Sequence, residues 1–139
     1  MQFVLDTSAA GNLILPDEQS DFVNGFVSSL SKENGIVVPS LWWFEVGNVL
    51  HQAFRRERIT ATQISGAQQL LRRLPISTDD SSGWAYQSRL IVLARDYALT
   101  VYDAAYLELG LRFHARIVSC DSALLQACKK ARAPFLSRK

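Results

Sequence analysis

Cysteine is scarce in this chain. Cys120 and Cys128 are the only two in 139 residues, too few for a disulfide framework and too isolated for a zinc site. Long apolar runs are missing as well: no stretch approaches the ~18 residues that a membrane helix needs. The N-terminus has no positively charged lead and reaches Asp6 almost at once, which argues against a signal peptide. There is no internal repeat, no low-complexity tract and no linker that would mark a boundary. Strong charge of one sign is lacking too, the formal net charge being +2. These absences lead to the expectation of one domain spanning residues 1–139, cytoplasmic and without a membrane anchor.

What is present is an ordinary globular composition, 48% hydrophobic and 20% charged. A chain of this length buries roughly two-thirds of its unfolded surface. The stretch Gln2-Phe3-Val4-Leu5-Asp6-Thr7-Ser8 is the organising one. A short apolar run ends in an acid, two hydroxyls and a small-residue segment, the pattern of a strand buried on both faces that feeds a helix. Ligands bind at the carboxyl ends of such strands, and Asp6 stands there.

Ser8 to Leu15 predicts a short helix ended by Pro16. A second helix is expected from near Asp17, with Phe22, Val23, Phe26, Val27 and Leu30 on one face and Asn34-Gly35 as its stop. Ile36-Val37-Val38 reads as a strand closed by Pro39. Ser40 to about Arg56 is a third helix, whose apolar residues cover so much of the circumference that Trp42, Trp43 and Phe44 read as core. Glu45, Asn48 and Gln52 form a narrow polar stripe within it.

Thr60 to Gln63 is a capping box opening a fourth helix that runs to Pro75. Ile76-Ser77-Thr78 reads as a strand, Asp79 to Gly83 as a loop, and Trp84 to Tyr97 as a helix. Thr100 to Asp103 has the form of a second capping box. Arg116 to Ser119 is a strand running into Cys120-Asp121, Ser122 to Ala131 a last helix with Lys129 and Lys130 in its final turn, and Pro134-Phe135-Leu136 a short terminal strand. Alternating strands and helices imply a parallel sheet covered on both faces.

Asp6 and Asp121 each follow a strand and precede a helix, and Asp103 lies in a first helical turn. Each alone reads as a helix-capping acid worth ~0.5–2 kcal/mol. Together they suggest more, because parallel strands deliver Asp6 and Asp121 to the same side. Glu45 is an acid on an otherwise apolar helix, so it faces either solvent or that rim. Four clustered carboxylates raise one another's pKa values unless a cation intervenes. Mg²⁺ and Mn²⁺ take oxygen ligands and make water a usable nucleophile against a phosphoryl group. Ser8 and Asn48 would orient the carboxylates. Thirteen acids less those four leaves nine against fifteen Lys and Arg, a basic surround of about +6 that suits a polyanion.

Val4-Leu5-Asp6-Thr7-Ser8, Glu45 with Asn48, Tyr102-Asp103-Ala104-Ala105-Tyr106 and Ser119-Cys120-Asp121 resemble, in order, the successive motifs of PIN-domain proteins, and most of all those of the VapC toxins of toxin–antitoxin modules. The resemblance spans nearly the whole chain. It implies an α/β/α three-layer fold around a parallel sheet of order 3-2-1-4-5. It further implies an acidic quartet of Asp6, Glu45, Asp103 and Asp121 that binds Mg²⁺ or Mn²⁺ and cleaves single-stranded or loop RNA, leaving a 5′-phosphate and a 3′-hydroxyl. By the same resemblance the chain would form a homodimer and be neutralised by a VapB-type antitoxin. The helix of Phe22, Val23 and Phe26 and that of Trp43 and Phe44 are the expected walls of the antitoxin groove. Ser119 and Thr100 stand where the family often has threonine and serine, and both keep the hydroxyl.

Arg55, Arg56, Arg58, Arg72 and Arg73 read as a solvated face and are the candidates for phosphate contacts. Cys120 reads as a small apolar filler, and His51 and His114 as structural or surface residues. Two other classes compete with a nuclease. A non-catalytic PIN-like scaffold for RNA or protein has no use for four mutually repelling acids. Receiver and haloacid-dehalogenase-like domains want a different first strand: receivers need paired acids there, and the phosphatases need an acid where Ser8 stands.

Overall fold

A computed structural model describes residues 1–138. β1 (Gln2–Leu5) leads into α1 (Thr7–Ile14), and after a 3-10 turn at Pro16–Glu18 comes α2 (Asp21–Ser29). β2 (Gly35–Pro39), α3 (Leu41–Arg55), α4 (Ala61–Arg72) and β3 (Ile76–Asp79) follow. The chain then runs through α5 (Trp84–Tyr97), α6 (Val101–Phe113), β4 (Arg116–Val118) and α7 (Ser122–Ala131).

The four strands pair in parallel in the order β3-β2-β1-β4. The chain steps outward from β1 to β2 and β3, then crosses back to place β4 on the other side of β1. The gap between β1 and β4 is therefore the topological switch point, where open α/β sheets bind ligands. The expected fifth strand is reduced to one parallel bridge, Ile117 with Phe135. Ile117 N donates to Pro134 O at 3.0 Å and Leu136 N donates to Ile117 O at 2.9 Å. Pro134 itself has no N–H to extend the ladder.

β1 is buried from Phe3 onward, as a central parallel strand should be. α1 packs against α2, α3 and α4, whereas α6 packs against α5, α7 and strands β1, β2 and β4. α6 is buried all round from Ala104 to Gly110, the signature of a helix enclosed on every side. It carries one buried acid, Glu108, whose carboxylate accepts from Arg112 at 2.7 and 3.0 Å. Arg112 also forks onto Asp79 at 3.0 and 2.8 Å, tying the end of β3 to α6. No helix among the described residues is long and apolar enough to cross a membrane.

Several expectations need correction. α2 begins at Asp21 rather than near Asp17, because Pro16 starts a separate 3-10 turn and the Ser20 hydroxyl caps the helix at Val23 N. Asp79 ends β3 instead of opening the loop. α3 buries only the stripe Trp42, Val46, Leu50 and Ala53, since a helix lying on neighbours from one side hides one face. Trp43 and Phe44 are therefore not core, at 54% and 79% exposure. Conversely, Val23 and Phe26 are fully engaged in the core, Phe26 edge-on to Phe3 at 4.9 Å. They cannot wall an open groove. Thr60 to Gln63 forms the complete reciprocal capping box.

Candidate active site

The register pairs Leu5 with Val118, so the residues that follow, Asp6 and Ser119, leave the sheet side by side. Asp6 N still donates to Val118 O at 3.1 Å. The backbone of Asp6 is extended, and its carboxylate turns back over α1 to accept from Ala9 N at 2.9 Å. It also accepts from Ser8 Oγ at 2.7 and 2.9 Å and from Ser119 Oγ at 2.5 Å. Ser8 in turn accepts from Cys120 N at 2.8 Å, and Ser119 accepts from Asp121 N at 3.0 Å. Two hydroxyls thus lock the ends of β1 and β4 together beneath one buried acid.

That acid is 4% exposed. Burial pushes its carboxyl up from 3.8 to about 6. The hydrogen bonds of Ser119, Ala9 and Ser8 hold it down, and the charge of Asp121 pushes it further up. Asp121 caps α7, accepting from Ala123 N at 3.4 Å and Leu124 N at 3.3 Å. The capping and rim roles of these two aspartates coexist, because a strand that ends where a helix begins presents the same side chain to both.

Asp103 sits at the third position of α6, where its backbone N donates to the Thr100 hydroxyl at 3.0 Å. Burial first, then the negative charge of Asp121 and of Glu45, raises its carboxyl above the usual range against the pull of Thr100. Glu45, half-buried on α3, accepts from Tyr106 Oη at 2.6 Å and from Thr7 Oγ1 at 3.0 Å. The charge of Asp121 thus reaches both Asp6 and Asp103, and that of Glu45 reaches Asp103, which links acids from four parts of the chain. They do not close into a tight cage: among the described residues no three His, Cys, Asp or Glu side chains form a ready-made metal site.

Ser8 touches Asp6 as described. Asn48 is exposed, and its side chain makes no hydrogen bond to any acid among the described residues. Arg55, Arg56, Arg72 and Arg73 are exposed. Arg58 is engaged elsewhere, bidentate on Asp17 at 2.9 and 2.8 Å and reaching Glu18 at 3.1 Å. Cys128 is buried, its thiol pushed up to about 12 by desolvation and by the charge of Asp6, so it is inert.

Three neighbours of the acids, Thr7, Ser119 and Tyr106, stand within the sequence motifs, but the sequence alone assigns them no role at the site. Tyr106 lies three residues beyond Asp103 on the same helix face, and Thr7 directly follows Asp6. Their adjacency to acids was the available signal. The strand register and helix packing that turn them onto Asp6 and Glu45 were not.

Solved structures share this arrangement of strands and helices. The protein PAE2754 from Pyrobaculum aerophilum superposes with a TM-score of 0.71 at 20% identity, covering 97% of this chain and 83% of that one. VapBC2 from Rickettsia felis, solved bound to a DNA fragment from its promoter, gives 0.69 at 16% identity with both chains covered in full. A toxin–antitoxin complex from Klebsiella pneumoniae gives 0.58 at 14% identity, covering 86% and 87%. No curated protein matches the sequence. At such identities these likenesses speak to the fold alone. The PIN domain family model, however, matches residues 3–130, a span that holds both strands of the switch point and the acids Asp6, Glu45, Asp103 and Asp121, and the chain belongs to the PIN-domain family.

Proposed function

We propose that this protein is a metal-dependent endoribonuclease of the VapC kind, a toxin restrained by a cognate antitoxin. The observation that carries the reading is the buried Asp6 carboxylate at the β1–β4 switch point, raised in part by the charge of Asp121, with Asp103 raised in part by Asp121 and Glu45. Membership of a family whose domains are generally nucleases supports it.

The donor set fits Mg²⁺ or Mn²⁺. Every candidate ligand is a carboxylate oxygen, and hard divalent cations select such oxygens. The upward shifts of Asp6 and Asp103 both come in part from negative neighbours, a conflict that a cation relieves. Asp6, Asp103 and Asp121 would hold the ion, and Glu45 would join them or position the attacking water. When bound, the ion supplies charge stabilisation on the phosphoryl oxygen and a water acidic enough to attack at neutral pH.

The chain's own groups do the rest. Ser8 and Ser119 fix the Asp6 oxygens, and the exposed Arg55 and Arg56 offer phosphate contacts. The proposed partners are RNA, a second copy of the chain, and an antitoxin. The toxin–antitoxin complex from Klebsiella pneumoniae supports the last of these. Trp43 lines a groove of about 290 Å³ between α3 and α4 together with Trp42, Val46, Leu50 and Leu71, an apolar seat for an antitoxin segment. The proposed place of action is the cytoplasm.

The test is cleavage of single-stranded and loop RNA with Mg²⁺ or Mn²⁺ titrated against chelator. Asp103→Asn is expected to lose at least about a hundredfold in rate, the size of a lost electrostatic group in an active site. Cleavage that survives both chelation and that substitution overturns the proposal. Tight RNA binding without cleavage in the wild type would favour the non-catalytic scaffold.

A further inference from the structure

Glu45 stands apart from the three aspartates in how it is held. Its helix, α3, touches α1, and Tyr106 comes from α6. Thr7, at the start of α1, and Tyr106 converge on the same carboxylate oxygen, Oε1, at 3.0 and 2.6 Å. Their own oxygens are 2.8 Å apart; each hydroxyl has a single proton, so when both donate to Oε1 this mutual contact is not a third hydrogen bond. Among the described residues Oε2 has no hydrogen-bond partner. Tyr106 is buried, at 2% exposure. A phenol hydroxyl beside a carboxylate oxygen at 2.6 Å donates to it.

A tyrosine in an otherwise aliphatic helix core needs a partner for its hydroxyl, and a bland account would stop there. The geometry is more specific than that account requires. A buried tyrosine is satisfied by any carbonyl, whereas this one ends on a site acid already held by a second hydroxyl. Charge-assisted hydrogen bonds as short as 2.6 Å are the strong ones. Two donors on one oxygen remove most of the freedom of a glutamate's three-bond side chain.

We infer that Tyr106 and Thr7 are positioning residues that clamp Glu45 through Oε1 and leave Oε2 as its one oxygen for the cation. This rests on the nuclease reading above and deepens it. Partners of this kind typically shift metal affinity or activity 10–100-fold. Tyr106→Phe keeps the ring and removes the hydroxyl, and Thr7→Val removes the other donor while keeping the shape. Each is expected to weaken Mn²⁺ binding about tenfold by calorimetry without RNA, and to lower kcat by about ten- to a hundredfold with KM for RNA unchanged. Thr7→Ser, which retains the hydroxyl, is expected to stay near wild type. Metal-free melts within a few degrees of wild type verify that the variants fold; should Tyr106→Phe not fold, Thr7→Val carries the test.

The decisive arm combines Tyr106→Phe with Glu45→Gln. If Tyr106 acts through Glu45, the double variant is no slower than Glu45→Gln alone. Losses that multiply, or wild-type Mn²⁺ affinity and rate in both Tyr106→Phe and Thr7→Val, overturn the clamp while the nuclease reading stands. Cleavage that survives both chelation and Asp103→Asn overturns the nuclease reading itself.

Discussion

Replacing Asp6 with asparagine separates the two roles that its position combines. Asparagine caps a helix as well as aspartate does, so the bond from Ala9 N survives, and only the charge is lost. The carboxyl of Asp6 is raised from 3.8 to about 6, which means that the folded protein holds this proton more tightly than the unfolded chain. Below pH ~4 both states are protonated and the group is neutral in its effect. As pH rises from ~4 to ~6 stability is lost, and above that the full penalty of about 3 kcal/mol applies, at ~1.4 kcal/mol per pH unit.

In chelator at pH 7.5, Asp6→Asn is therefore expected to be more stable than wild type by about 1–3 kcal/mol, since the amide N–H₂ must still find an acceptor among Ser8 and Ser119. For a chain of this size that is roughly 4–12 °C in Tm, and the gap should narrow to about a third by pH 4.5 and close only below pH ~4. Manganese at a hundred times its Kd should add about 2.7 kcal/mol to wild type and little to the variant, which should also fail to cleave RNA. Melts recorded from pH 4.5 to 8, with and without metal, give the answer. Parallel melting profiles for the two proteins across that range would refute the account of Asp6 as a carboxylate strained by burial beside Asp121.

Two further predictions concern charge elsewhere. Arg112→Met strands the buried Glu108 and releases Asp79, leaving only Arg89 at 3.7 Å from Glu108; urea unfolding should show a loss of about 2–3 kcal/mol, below the range for fully buried pairs because Arg112 is partly exposed. Its Asp79 partner is held below the usual carboxylate range by that guanidinium, so this stabilisation should fade in wild type as pH falls through that lowered value. Among the arginines at and beyond the end of α3, Arg55→Ala and Arg56→Ala should each weaken RNA binding and reduce the salt slope by about 1 per lost phosphate contact, whereas Arg58→Ala should change RNA binding least, its fork being occupied by Asp17 and Glu18. Filter binding over a salt series distinguishes them, and an equal effect from all three would contradict this ranking.

The strands were legible because short apolar runs bounded by Pro, Gly or an acid have few other readings: β1, β2 and β4 lie where their residues indicate. Helix starts were legible wherever a hydroxyl capped them, as at Thr60 and Thr100. The burial of α3 was misread because composition counts apolar residues around a helix but not how many sides have neighbours. Phe44 and Trp43 look as apolar as Trp42 in the sequence, yet only Trp42 faces inward. The fifth strand was overestimated because one bridge and a strand share the same local pattern.

The order of residues alone determined that Asp6 and Asp121 follow strands and cap helices, since capping and strand chemistry act over three or four neighbouring residues. The tertiary structure decided that β4 lies beside β1 rather than beyond β3, which brings Ser119 onto Asp6. It also decided that Tyr106 and Thr7 meet on Glu45. Contacts across 61 and 38 residues depend on strand order and helix packing; hydrophobic periodicity says which face of an element is buried, but not which other element it is buried against.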